Sequence, residues 1–192
     1  MSSDWPPYSI GPGDSIFALG VISVKFVELE SVFQFIFETI LGLDAEKDQG
    51  NIVFARLGTK PALQASEDCL PKTRWSDEVK DQVSHFLAAM DVCAENRNFL
   101  MHSHLAWRFG DETMLFKKSR AGNDLYLSIP LAQLRQVADE MNAYCNYGRM
   151  LANAINNTKG DVPIFPVTAY PWPKKPDLPL KLKYLPVPER GA

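Results

Sequence analysis

The sequence predicts an all-α protein, a bundle of four to five helices with a small β-hairpin or extended insertion and a proline-rich C-terminal tail. Three observations support this fold class. Long segments repeat apolar residues at three- and four-residue spacing, which is typical of helices; residues 106–129 change to a shorter period around turn-forming residues; and residues 159–192 hold eight of the fourteen prolines. We therefore expect one helical domain over residues 1–158, with the β-hairpin-like excursion at about 106–129, and an extended tail over 159–192.

The composition is that of a soluble globular chain. Its 192 residues are 46% hydrophobic and 22% charged, which suits one ordinary domain with a packed core rather than a disordered chain. The formal net charge of -3 argues against broad electrostatic binding of nucleic acid. Any contact with RNA therefore has to be local.

The cysteines and the first residues of the chain indicate its compartment. Cys69, Cys93 and Cys145 are odd in number and widely spaced, without a CxxC pair, which favours a reducing cytoplasm and no structural zinc. The start of the chain lacks the basic and apolar regions of a secretory signal. We expect a cytoplasmic protein with no metal, no cofactor and no membrane partner.

The first long helix is predicted to begin at a cap on Asp14 or Ser15 and to end at Gly42. Charged residues interrupt its apolar run, so it is not expected to span a membrane. Its apolar residues spread beyond one stripe, which predicts that it is covered on two sides, by other helices or by a second subunit. These residues are Phe17, Val21, Val24, Phe26, Val27, Leu29, Val32, Phe33, Phe35, Ile36, Phe37, Ile40 and Leu41.

Two further long helices follow. One starts after Ser76 with an acidic first turn, and the other covers Leu131 to Ile155. Between the first and second long helices, residues 44–73 are predicted to form a loop with one brief helix around Ala62 to Cys69. The apolar stripe of the second long helix is expected to run through Val79, Val83, Phe86, Met90, Cys93, Arg97, Leu100 and His104.

The tail differs in charge from the rest of the chain. Residues 159–192 contain six Lys or Arg against three Asp or Glu, a net charge of +3, which leaves -6 on the remainder. This contrast suits a tail that lies over its own acidic domain, or one that reaches a partner. A passive, polyproline-like terminus is the third interpretation.

The stretch ENRNFLMHSHLAW ends the second long helix and gathers the most acid–base chemistry in the chain. It holds Arg97 and two of the three histidines, His102 and His104. At about 100° per residue, Arg97 and His104 share one helix face, while Asn98 and His102 share another with Glu95 beside them. Because Arg97 continues the apolar stripe, its charge points towards packed surface and needs a carboxylate, a carbonyl or a phosphate to meet it.

Two arrangements would bring the splayed Arg97 and His102 together: a distorted helix, or a two-fold axis that sets the motif against its copy in a second subunit. We favour the second. Guanidinium groups would then bind phosphate, and imidazoles would transfer protons near neutral pH. This combination suits metal-free RNA cleavage, in which the ribose 2′-hydroxyl loses a proton as it attacks phosphorus and the 5′-oxygen gains one.

These residues resemble the R-x4-H signature of HEPN domains, because Arg97-Asn-Phe-Leu-Met-His102 has the form with Asn directly after Arg. The resemblance implies a helical domain that forms homodimers, with the signature facing the dimer mate. It further implies a metal-independent endoribonuclease of a toxin, antiviral or RNA-processing system, with RNA as substrate and a possible antitoxin or partner protein. By position, Arg97 and His102 would be catalytic and Asn98 an accessory polar group. Glu95 and His104 complete the candidate site as further accessory side chains.

Other interpretations stay open. Arg97 and His102 also suit a buried polar pair that fixes a dimer or a helix end, and the chain suits a non-catalytic helical dimer that binds a partner protein or a nucleotide. His104 is also expected at a helix C-terminus, where it favours the helix dipole. Glu95 either orients His102 or solvates the helix. His85 is predicted to be a partly buried structural histidine.

Overall fold

The computed structural model describes residues 13–43, 48–109, 112–118, 124–157, 172–183 and 185–186. The helices are α1 (Gly13–Leu41), α2 (Gln49–Leu57), α3 (Thr59–Cys69), α4 (Asp77–Met101) and α5 (Leu131–Asn157), and the strands are β1 (His104–Phe109), β2 (Glu112–Lys118), β3 (Asp124–Pro130) and β4 (Leu185–Pro186). The predicted helical bundle with a small β insertion is confirmed. Within the described ranges, no helix combines the length and the apolar character needed to cross a bilayer.

α1 is the central helix of the bundle. It packs most extensively against α5 and also contacts α2, α3 and α4. The opposite face carries Phe17, Val24 and Val27, which are 74%, 59% and 60% exposed. The predicted cover on two sides is therefore incomplete, because the described helices of the single chain bury only one face of α1.

The ends of the long helices follow their capping residues. Gly42 follows α1 with a φ of 64°, a left-handed conformation that ends helices and favours glycine. The Ser76 hydroxyl caps α4 by accepting a hydrogen bond from the Val79 N–H at 3.4 Å. α5 begins at Leu131 as predicted and ends two residues later than predicted, at Asn157.

The segment between α1 and α4 is more helical than predicted. A single brief helix was expected, but α2, α3 and a 3-10 turn at Leu70–Lys72 occupy it. Pro61 lies in the first turn of α3, where a backbone N–H is not needed for the helix ladder. Gly58 separates α2 from α3 with a φ of 72°. Phe54 and Leu63 are buried, so packing stabilises both short helices.

The strands form one antiparallel sheet in the order β1-β2-β3-β4. The β2–β3 hairpin confirms the predicted excursion, and β1 and β4 extend it on either side. Leu115, Leu127 and Ile129 are buried, which places one face of the hairpin on the core. The hydroxyls of Ser15 and Thr113 lie 2.9 Å apart and join β2 to the start of α1.

Residues 172–183 of the tail contain neither helix nor strand and lie along α4 and α5. This segment of the tail therefore lies over its own domain, which was one of the three interpretations of the charge of the tail. Beyond this segment, β4 pairs with β3. The predicted boundary between residues 158 and 159 lies outside the described residues.

Candidate functional site

The candidate site spans the C-terminal end of α4 and the start of β1. α4 ends at Met101, so the prediction that this helix continues to His104 is wrong. His102 caps the helix with φ −103° and ψ 13°, and His104 begins β1 opposite Phe116. Pairing with β2 turns the backbone away from the helix. Arg97 and His104 consequently do not share a helix face.

Arg97 is half-buried against α1, as its position in the apolar stripe predicts. Its Cζ atom lies 5.5 Å from the centroid of the Phe26 ring, within the range of a cation–π contact. Nη1 donates a hydrogen bond to Oδ1 of Asn98 at 2.9 Å. Nε is buried and bonds to none of the described residues, and no carboxylate in that part of the chain pairs with the guanidinium.

His102 and Asn98 are exposed. The backbone N–H of His102 donates to the Asn98 carbonyl at 3.2 Å, which makes the last helical hydrogen bond. Five residues along an α-helix correspond to a rotation of about 140° and a rise of about 7.5 Å. The structure places Arg97 half-buried and His102 exposed at the C-cap of α4, and their meeting across a two-fold axis stays a prediction.

Glu95 joins α4 to α3 and to the tail. Its carboxylate lies 2.5 Å from Nζ of Lys181 and 3.8 Å from Nζ of Lys60. Lys60 also forms an ion pair and a hydrogen bond with Asp91, and this hydrogen bond is the main reason that the pKa of Lys60 is raised. Sequence reasoning did not consider that Glu95 would contact the tail.

Asn96, the residue before Arg97, is the main side chain that sequence reasoning missed. It is 1% exposed, and both polar atoms of its side-chain amide bond to the backbone of the tail. Nδ2 donates to the Leu180 carbonyl at 2.6 Å, and Oδ1 accepts from the Leu182 N–H at 3.0 Å. Oε2 of Glu140 accepts from the Leu180 N–H at 2.9 Å. The sequence signal for this role is that Asn96 is a polar residue on the buried side of α4.

A second set of contacts holds the tail nearer the middle of α5. Nε2 of His85 lies 2.8 Å from the Pro176 carbonyl, and the Tyr144 hydroxyl donates to the Asp177 carbonyl at 3.1 Å. The two side chains also lie 2.9 Å apart. Burial raises the pKa of Tyr144 to about 12, so its hydroxyl stays protonated at neutral pH. His85 is half-buried, as predicted, and its contact with the tail explains why.

The two buried cysteines of the described part of the protein, Cys93 and Cys145, are poorly suited to chemistry. Burial raises the pKa of Cys93 to about 12 and that of Cys145 to about 11, so neither thiol ionises near neutral pH. Within the same residues, no group of three His, Cys, Asp or Glu side chains is placed to hold a metal ion.

Comparisons of this chain with protein-family models, with curated proteins and with solved structures found no match. Its function is therefore inferred from its own side chains.

Proposed function

We propose that the protein is a cytoplasmic, metal-independent endoribonuclease of the HEPN type, with a composite active site where two copies of the motif meet, in a toxin, antiviral or RNA-processing system. The observation that carries this proposal is the state of Arg97. Its permanent charge is held against Phe26, its Nε is buried, and no described carboxylate neutralises it. Because its charge is not neutralised, the half-buried guanidinium is suited to attract the oxygens of a phosphate.

The proposed chemistry assigns a role to each polar side chain of the motif. Arg97 binds the non-bridging oxygens of the scissile phosphate. Asn98 orients the guanidinium group of Arg97 by accepting a hydrogen bond from its Nη1. An exposed His102 takes the proton of the ribose 2′-hydroxyl as that oxygen attacks phosphorus. His102 of the second copy protonates the departing 5′-oxygen. The products are a 2′,3′-cyclic phosphate and a 5′-hydroxyl, and the protons balance within the dimer.

The exposed face of α1 supports self-association. Phe17, Val24 and Val27 follow one side of the helix and are more than half exposed. Apolar side chains that line up in this way are typical of a surface that meets a protein. A second copy of the chain would cover this face, which lies away from Phe26 and Arg97. It therefore supports self-association and does not by itself bring two motifs together.

The test is RNA cleavage by the purified full chain in the presence of a metal chelator. We expect Arg97→Ala and His102→Ala each to slow cleavage by about a hundredfold or more, while the mass in solution stays that of a dimer. Arg135→Ala removes an exposed arginine of α5 and serves as the matched control, with its rate unchanged. Analysis of the 3′ ends should reveal a cyclic phosphate. Wild-type rates in both motif variants, or cleavage by a monomer, would contradict the proposal.

A non-catalytic helical dimer that binds a partner protein or a nucleotide is the second candidate. It is favoured by the contacts of Arg97 with Phe26 and Asn98, which also suit a structural role. In this case the dimer leaves mixed RNA intact with and without divalent metal. Arg97→Ala would then lower the thermal unfolding midpoint without changing any activity.

A further inference from the structure

We propose that the groove between α4 and α5 is a peptide-binding site for extended segments that contain proline and lysine, and that residues 172–183 are its resident ligand rather than part of the core. The groove is defined by four side chains that contact the tail backbone and by two acidic side chains at its rim. The first four are His85, Asn96, Glu140 and Tyr144, and the rim residues are Asp81 and Glu95.

The spacing of the lysines in the tail matches the spacing of the acidic residues along α4. Lys175 pairs with Asp81 near the start of α4, and Lys181 pairs with Glu95 near its end. The fourteen-residue separation on α4 corresponds to a rise of about 21 Å, and six residues of extended chain span about 20 Å. One straight, extended peptide therefore meets both acidic positions without a bulge or a turn.

Recognition is directed mainly at the backbone of the tail. Asn96 bonds to the Leu180 carbonyl and the Leu182 N–H, as a neighbouring strand would. His85 and Tyr144 contact the carbonyls of Pro176 and Asp177. Such contacts define an extended conformation and accept different side chains, which is how proteins bind extended and proline-rich peptides.

The prolines of the tail suit this mode of binding. Pro173 and Pro179 are buried, while Leu178, which lies between them in the sequence, is 54% exposed. Proline has no N–H that would need a partner, and it holds the chain extended before binding. The conformational entropy lost when such a segment is ordered is therefore small.

The main core is formed mostly by residues outside the tail. Helix and sheet residues make up the buried cluster, and Leu182 is the described tail residue that joins them. Trp172 and Leu180 pack on the outside of this cluster and are only partly buried. Removal of the tail would expose one edge of the core and would leave the packing between α1, α4 and α5 in place.

The experiment releases the tail from the groove in the full chain and then adds the tail sequence as a separate peptide. Leu182→Asp places a charge at the buried anchor of the tail. A fluorescent peptide of residues 172–183, WPKKPDLPLKLK, is then titrated and its anisotropy is measured. We expect the variant to bind at least roughly tenfold more tightly than wild type, whose groove is already filled. The circular dichroism of the variant should stay helical.

Two tyrosines of α5 provide a matched pair of controls. Tyr144→Phe, added to Leu182→Asp, deletes the hydroxyl that contacts the tail and should weaken peptide binding roughly fivefold. Tyr147→Phe deletes a hydroxyl that bonds to Gln82 instead, and should leave the affinity unchanged.

Three results would overturn the proposal. If Leu182→Asp unfolds the chain, the tail is part of the core. If the folded variant does not bind the peptide, or binds it no better than wild type does, the groove is not a site of this kind. If Tyr144→Phe has no effect, the peptide is held elsewhere.

Discussion

Asn96 and Arg97 are neighbours in the chain, and their buried polar atoms are in opposite situations. Both polar atoms of the Asn96 amide have hydrogen-bond partners in the tail, whereas Nε of Arg97 has none among the described residues. A buried donor without a partner costs about 1–3 kcal/mol. A buried donor that is left without a partner is more common at functional positions than in an ordinary core.

The three cysteines are predicted to differ in reactivity. Cys69 is half-buried, while Cys93 and Cys145 are buried and have raised pKa values. Because the thiolate is the reactive form, we expect a disulfide reagent to label one thiol rapidly in the native protein and all three after denaturation. Cys69→Ser should abolish the rapid phase. A second rapid thiol in that variant would show that α4 or α5 opens readily.

The close approach of α1, α4 and α5 depends on a glycine. A Cβ atom on Gly148 would lie 2.5 Å from Cε2 of Phe86 and 2.7 Å from Cγ1 of Val32. We expect Gly148→Ala to lower the free energy of unfolding by about 1–3 kcal/mol in urea titrations, despite the higher helix propensity of alanine.

Gly20 is the matched position for this substitution. It is exposed in α1, and a Cβ atom there meets nothing within 4 Å. Gly20→Ala should therefore raise the free energy of unfolding by about 0.5–1 kcal/mol. If both substitutions raised the free energy of unfolding, helix propensity rather than packing would decide the outcome.

The long helices could be predicted because their signals are local. Apolar spacing and caps such as Ser76 and Gly42 located their ends within a few residues. α2 and the start of α3 could not be located in this way, because Pro61 and Gly58 are typical of loops and only burial of Phe54 against the core shows that they support helices.

The candidate site could be predicted only in part, for the same reason. The burial of Arg97 follows from its place in the stripe of α4. The end of α4 before His104 depends on strand pairing, and the role of Asn96 depends on a tail more than eighty residues away. No pattern within one helix reports such distant contacts.

The whole molecule is predicted to lose stability at alkaline pH. Cys93, Cys145 and Tyr144 have pKa values raised by burial to about 12, 11 and 12, from ordinary values of 9.0 for the thiols and 10.0 for the phenol. The unfolded chain therefore releases these protons first. Stability is unaffected below about pH 9 and falls as the pH rises from there towards the folded pKa values.

Urea unfolding between pH 8 and pH 10.5 measures this effect. Each group that has ionised only in the unfolded chain lowers the free energy of unfolding by up to about 1.4 kcal/mol per pH unit. Cys93→Ala should reduce the slope by about that amount, whatever its effect on stability at pH 8. A flat profile in the wild-type protein would show that these groups are hydrated in the native state.

The packing of α1 on α5 also has a consequence for synthesis in the cell. α1 ends at Leu41 and α5 begins at Leu131, so the ribosome releases the most apolar helix long before its principal neighbour exists. Until α5 has been synthesised, the phenylalanine-rich surface of α1 is open to chaperones and to other nascent chains. The yield of folded protein should therefore depend on the speed of translation as well as on the final stability.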